Sequence, residues 1–196
     1  MKKDFTYEFV EGRPNSLTYE ISLEENERLR VLASRGIATL CLNHAGMLTM
    51  AKLLVRFAAG RYSKTFHLHL REDFGDTGPD ALTIMMYPDE GGIYAGALET
   101  SGAKREFHYE FEEPLPNRFS LDYSKEKDEK VEVVLDKEST TLCLNRSAML
   151  TLARALIKIA QGGYSEGFCV HFNKDFDAAL PHRFDIVLQS DDKTVG

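Results

Sequence analysis

Thr39-Leu40-Cys41-Leu42-Asn43 recurs, residue for residue, as Thr141-Leu142-Cys143-Leu144-Asn145, 102 positions further along the chain. The register holds without a gap in both directions. Upstream, Phe5, Tyr7, Glu8, Phe9, Glu11, Pro14 and Asn15 fall on Phe107, Tyr109, Glu110, Phe111, Glu113, Pro116 and Asn117. Downstream, Tyr62-Ser63, Phe66, His69, Asp73-Phe74, Pro79, Ile84 and Asp89 meet Tyr164-Ser165, Phe168, His171, Asp175-Phe176, Pro181, Ile186 and Asp191. Between residues 5 and 90, 32 of 86 aligned positions are identical, too many over an ungapped stretch for chance, so the chain is a tandem duplication. The period lies far above the roughly 20 to 50 residues of solenoid repeats, and each copy is expected to be a small domain with its own core. These domains are placed at 1–95 and 103–196, joined by the short glycine-rich segment 91–102 and packed closely.

A pattern kept in both copies after divergence points to structure. Asn43 and Asn145 stand where a helix N-cap belongs, with a side-chain oxygen free to accept from the first turn. Met47, Leu48, Ala51, Leu54, Val55 and Ala58 then recur at helical spacing, answered by Met149, Leu150, Ala153, Leu156, Ile157 and Ala160. Gly60 and Gly162 follow at the C′ position, and Lys52, Arg56, Arg154 and Lys158 read as a solvated face. Around the helix the period falls to two. Phe66, Leu68 and Leu70 alternate with His67 and His69, and Leu82, Ile84 and Met86 alternate with Thr83 and Met85. Leu40 and Leu42 mark a strand before the helix, and further strands are expected over Phe5 to Val10, Leu17 to Leu23 and Leu29 to Ala33. The unit therefore reads ββββαββ. A mostly antiparallel sheet with one helix on its apolar face buries both stripes, which makes the fold class α+β, present twice.

Composition narrows the function. Hydrophobic residues at 43% and charged residues at 28% are those of a globular chain and exclude collagen-like, coiled-coil and disordered classes. Lys and Arg total 24 against 31 Asp and Glu, a net charge of −7, so nucleic acid is not an expected partner and a cationic one is favoured. No apolar run approaches the roughly 20 residues of a membrane span, and the start lacks the apolar stretch of a secretory signal. Three cysteines, Cys41, Cys143 and Cys169, fit reduced thiols, and the protein is read as cytoplasmic.

The face of the strands turned away from the helix carries Thr39, Cys41, His67, His69 and Thr83 in one copy and Thr141, Cys143, Cys169, His171 and Asp185 in the other. Three N and S donors per copy could hold zinc if their strands are neighbours, with Cys143, Cys169 and His171 the better set. Against this, His and Cys interchange between the copies and no fourth ligand recurs. No phosphate loop or local activation of a cysteine nucleophile is present, and neither an enzyme nor a cofactor is expected. Acidic clusters occur at Glu24, Glu25 and Glu27, at Glu110, Glu112 and Glu113, and at Asp73 and Asp76. Acidic residues beside aromatics such as Tyr109 and Phe111 can steer and anchor a basic protein.

The stretch from Thr39 through His44-Ala45-Gly46-Met47-Leu48 to Phe66-His67-Leu68-His69-Leu70 resembles the immunity proteins of bacterial polymorphic toxin systems. In those small α+β proteins a strand leads into a helix, followed by a histidine strand and a final apolar strand. The likeness covers about half of each copy, with Met47 where leucine is usual and Ala148 in place of glycine. It implies a non-enzymatic inhibitor that occludes the active site of a cognate toxin, with His69 and His171 as contacts by analogy. The partner is then a protein toxin, basic at the contact, bound by a monomer with an internal pseudo-twofold or by a homodimer. The alternatives are a small-ligand or zinc-binding module using the His/Cys face, and a structural adaptor.

Overall fold

The computed structural model describes residues 1–10, 26–34, 37–59, 67–69, 81–86, 103–112, 120–123, 128–135, 139–172 and 183–189. The first copy contributes β1 (Lys2–Val10), β2 (Leu29–Ser34), β3 (Ile37–Leu42), α1 (His44–Ala59), β4 (His67–His69) and β5 (Ala81–Met86). The second contributes β6 (Lys104–Glu112), β7 (Ser120–Tyr123), β8 (Val131–Leu135), β9 (Ser139–Leu144), α2 (Arg146–Gln161), β10 (Cys169–Phe172) and β11 (Arg183–Leu188). Among its described residues the second copy shows the expected ββββαββ order. In the first, the strand expected over Leu17 to Leu23 lies outside the described residues, as does the segment 91–102.

α1 and α2 each begin where an asparagine caps them. The Asn145 backbone is extended, and its Oδ1 accepts from the Ala148 amide at 3.0 Å, as Asn43 Oδ1 accepts from Gly46 at 2.9 Å. Each asparagine also grips the chain ahead of β2 or β8. Asn145 Oδ1 accepts from the Lys130 amide and its Nδ2 donates to the Asp128 carbonyl; Asn43 does the same with Arg28 and Asn26. Both asparagines are buried, because every polar atom they bring inside has a partner. The far end of α2 departs from expectation. Gly162 has φ −78°, so it is extended and not left-handed, and what calls for glycine is space: an added Cβ would lie 2.4 Å from the Tyr164 ring.

Among the described residues the strands sort into three sheets, rich in antiparallel pairs and consistent with the α+β class. β1 and β6 pair with each other as an antiparallel ribbon. A five-stranded sheet runs β2-β3-β11-β10-β7 and a four-stranded one β4-β5-β9-β8. Each of these two sheets takes strands from both copies. β3 leads out of the five-stranded sheet into α1, which delivers the chain to β4 and β5 of the other; β9 and α2 make the reverse crossing. The joints between copies are parallel pairs, β3 with β11 and β5 with β9, in which Leu40 stands opposite Ile186 and Ile84 opposite Leu142. These two pairs are the same pair, 102 residues apart on each strand.

One contiguous core results. Leu40, Leu42, Val170, Phe172, Phe184, Ile186 and Leu188 bring the inner face of one sheet, and Val131, Val133, Leu142 and Leu144 that of the other. The helices lie against one another between these faces and the ribbon, whose Phe5, Phe9 and Phe111 join the same cluster. Two-sided packing explains why α1 buries Met50, Leu53 and Phe57 beyond the single stripe the sequence shows, while Leu48 is only half-buried. It also alters the reading of the basic positions as a solvated face. Lys52, Arg56 and Lys158 are half-buried, and the Tyr7 and Tyr109 rings of the ribbon lie 5.9 Å from Lys52 Nζ and Arg154 Cζ. Lys3 Nζ of the ribbon further donates to the carbonyl of Gln161 at the end of α2.

Candidate functional site

Two surfaces gather the residues that can do chemistry or recognise a partner. The first is the solvent face of the β1–β6 ribbon. Along β1 exposed and covered residues alternate, so Lys2, Asp4, Thr6, Glu8 and Val10 point outward while Phe5 and Phe9 point into the core. β6 follows the same rule from Glu106 onward, with Glu106, His108, Glu110 and Glu112 exposed and Phe111 buried, while Lys104 and Arg105 at its start are both exposed. The register sets Asp4 opposite Glu110, Glu8 opposite Glu106 and Lys2 opposite Glu112. Two like-charge pairs therefore stand directly across the strands, where such pairs destabilise a sheet. His108 sits among them, with Nε2 3.4 Å from Glu110 Oε1.

The second surface is the outer face of the five-stranded sheet. Cys169 and His171 are two residues apart on β10 and point the same way, and Asp185 of β11 stands opposite His171. His171 Nδ1 lies 2.9 Å from Asp185 Oδ1 and 3.6 Å from Cys169 Sγ. Asp185 is buried and His171 half-buried. The same ring nitrogen serves both neighbours. A catalytic triad instead uses one nitrogen for the nucleophile and the other for the orienting carboxylate, so this arrangement is not poised for nucleophilic attack.

The residues singled out in the sequence are distributed unevenly over these surfaces. Glu110 and Glu112 are exposed on the ribbon. Glu27 is half-buried and accepts a hydrogen bond from Thr49 Oγ1, a role repeated by the buried Glu129 with Thr151, so it holds the start of the helix. His171 belongs to the outer sheet face, while His69 occupies a register position on β4 opposite Thr83 in the other sheet. Cys169 and His171 come together, but Cys143 is on β9 in the four-stranded sheet; Asp185 holds the third place in the cluster. Glu24, Glu25, Asp73, Asp76 and Glu113 lie outside the described residues. Asp4, Glu8 and Glu106 were not singled out in the sequence. Their signal was repetition on one face: Asp4 and Glu8 stand four apart on β1, and their counterparts Glu106 and Glu110 stand four apart on β6, its copy.

The other two cysteines are shielded thiols. Burial pushes the Cys41 thiol above its ordinary range, with Arg30 pulling weakly the other way, and burial together with the Glu132 carboxylate raises Cys143. Burial likewise raises Tyr7, against the nearby Arg56, and Tyr109, against Arg154.

Fold and surfaces together define a tandemly duplicated α+β protein with an acidic ribbon and a Cys/His/Asp cluster on one sheet. The family model for Immunity protein 32 matches residues 38–88 and again residues 139–191, more than half of the chain, and the protein belongs to that family. Each match spans the strand before the helix, the helix and the strands that follow it. No curated protein and no solved structure matches the chain. Among the described residues no helix is long and apolar enough to cross a membrane.

Proposed function

We propose that this protein is a non-enzymatic immunity protein that acts in the cytoplasm, neutralising a cognate toxin by covering the toxin's active site with the acidic face of its ribbon. The observation that carries this reading is the facing of Asp4 with Glu110 and of Glu8 with Glu106. Each like-charge pair costs the free protein about 0.2–1 kcal/mol, a cost that a basic partner relieves on docking. Family membership supports a toxin as that partner, and the net charge of −7 supports a basic contact. Charge complementarity of this kind raises the association rate and makes it fall with salt.

Affinity capture of the untagged-surface protein from cells that make it natively tests the reading. Recovery of a toxin in stoichiometric amount, lost on exchanging Asp4, Glu8, Glu106 and Glu110 for amides, is the expected result. Absence of a stoichiometric protein partner overturns it, and so does capture that is indifferent to those substitutions.

A further inference from the structure

Cys169 Sγ, His171 Nδ1 and an Asp185 carboxylate oxygen all lie within 4.8 Å of one another on the outer face of the five-stranded sheet. Three different donor atoms on two paired strands thus converge on one point of the sheet surface. Thiolate, neutral imidazole and carboxylate each present a lone pair, and a cation between the three atoms can accept all of them. We propose that Cys169, His171 and Asp185 form a binding site for one zinc ion.

The distances favour that ion. Tetrahedral bonds of about 2.3 Å to sulfur and about 2.05 Å to nitrogen place the two ligand atoms about 3.6 Å apart. The Sγ to Nδ1 separation is 3.6 Å. The carboxylate, at 2.9 Å from Nδ1, has to withdraw by about 0.4 Å to reach the corresponding spacing. A mixed S, N, O donor set selects a borderline cation over calcium or magnesium, which take oxygen ligands. Three protein ligands leave a fourth position for water, and the exposure of the His171 side chain, 23%, gives solvent access to it. The site is single. The positions 102 residues earlier hold His67, His69 and Thr83, so the first copy has threonine where the second has its carboxylate.

The test is zinc titration of the full chain, prepared without a histidine tag and stripped with a chelator, in competition with a chromophoric chelator. Cobalt(II) is added in parallel to read thiolate ligation by its charge-transfer absorption. One equivalent of zinc is expected, with a thiolate-to-cobalt band. Cys169→Ser removes the band, Cys169→Ser and Asp185→Asn each weaken zinc binding at least tenfold, and Cys143→Ser leaves both unchanged. A further readout needs no variant: zinc protects Cys169 from alkylation in the wild-type chain and leaves Cys41 and Cys143 at their zinc-free rates. The proposal fails if no zinc binds at stoichiometric concentration, if Cys169→Ser retains full affinity, if Cys143→Ser abolishes binding, or if zinc leaves Cys169 alkylation unchanged.

Discussion

Thr6 Oγ1 lies 3.1 Å from His108 Nδ1, and the two residues are separated by the repeat offset of 102. Thr6 thus pairs with its own counterpart in the second copy, and the pairs to either side, Phe5 with Tyr109 and Tyr7 with Phe107, are counterparts of each other. A local twofold axis runs through the Thr6–His108 pair, and the ribbon closes the dimer-like arrangement that the exchanged strands begin. The two parallel joints obey the same symmetry.

Strand exchange predicts how the two sequence units behave when separated. A fragment spanning 1–95 carries β2 and β3 of one sheet and β4 and β5 of the other, with the edges of β3 and β5 uncovered. Neither that fragment nor 103–196 is expected to unfold cooperatively alone, and mixing them restores the helical signal in circular dichroism. A cooperative urea transition in either fragment alone contradicts this.

The acidic ribbon separates binding from stability. Changing Asp4, Glu8, Glu106 and Glu110 to amides removes two facing like-charge pairs, so the urea midpoint stays level or rises, by about 0.2–1 kcal/mol per pair. Association with the toxin slows at least tenfold at low salt and loses most of its salt dependence, as stopped-flow mixing would show.

The helix caps are expected to be among the costliest polar positions. Asn145→Ala strands the Lys130 and Ala148 amides and the Asp128 carbonyl in a buried site, for a loss of roughly 2–4 kcal/mol in chemical denaturation. Asn43→Ala costs a similar amount through Arg28, Gly46 and Asn26.

Equivalent helix positions answer differently to the same exchange. A Cβ on Gly46 would meet the Arg28 carbonyl oxygen at 2.3 Å, so Gly46→Ala is expected to cost about 1–3 kcal/mol despite alanine's helix preference. At the matching site the chain carries a buried Ala148, and Ala148→Gly costs about 1 kcal/mol through backbone freedom alone. Thermal melts of the two variants compare them directly.

Stability should decline in alkali. Cys41, Cys143, Tyr7 and Tyr109 all hold their protons more tightly folded than unfolded. The native chain therefore binds more protons than the unfolded one once pH passes the free thiol value of about 8.5, and again past the free phenol value of about 10. The stabilisation is intact below that window and is lost as pH rises through it. Urea midpoints measured between pH 7 and about 10.5 should fall accordingly, with a smaller fall in the Cys41→Ser and Cys143→Ser variants.

Much of the local structure is legible in the residues. Asn43 and Asn145 mark the helix starts because their side chains act within three residues, and the alternation around Leu40, Leu142 and Val170 marks strands and their apolar side. The candidate site was legible only in parts. Cys169 and His171 share a face by their spacing on one strand, whereas Asp185 joins them only through the antiparallel pairing of β10 with β11, and Cys143 is separated from them by the exchange of strands. Glu27 reads as one of an acidic run, yet a long-range hydrogen bond to Thr49 takes it out of that role.

By itself the sequence determined the duplication, the order of elements in the unit and which side of each strand is apolar, because these depend on period and on near neighbours along the chain. Which strands lie side by side was decided by tertiary structure. Two nearly equal copies present nearly equal edges, so pairing β3 with β5 or with β11 looks alike in the residues; only closing one core around both helices, with the ribbon paired about Thr6 and His108, tells them apart.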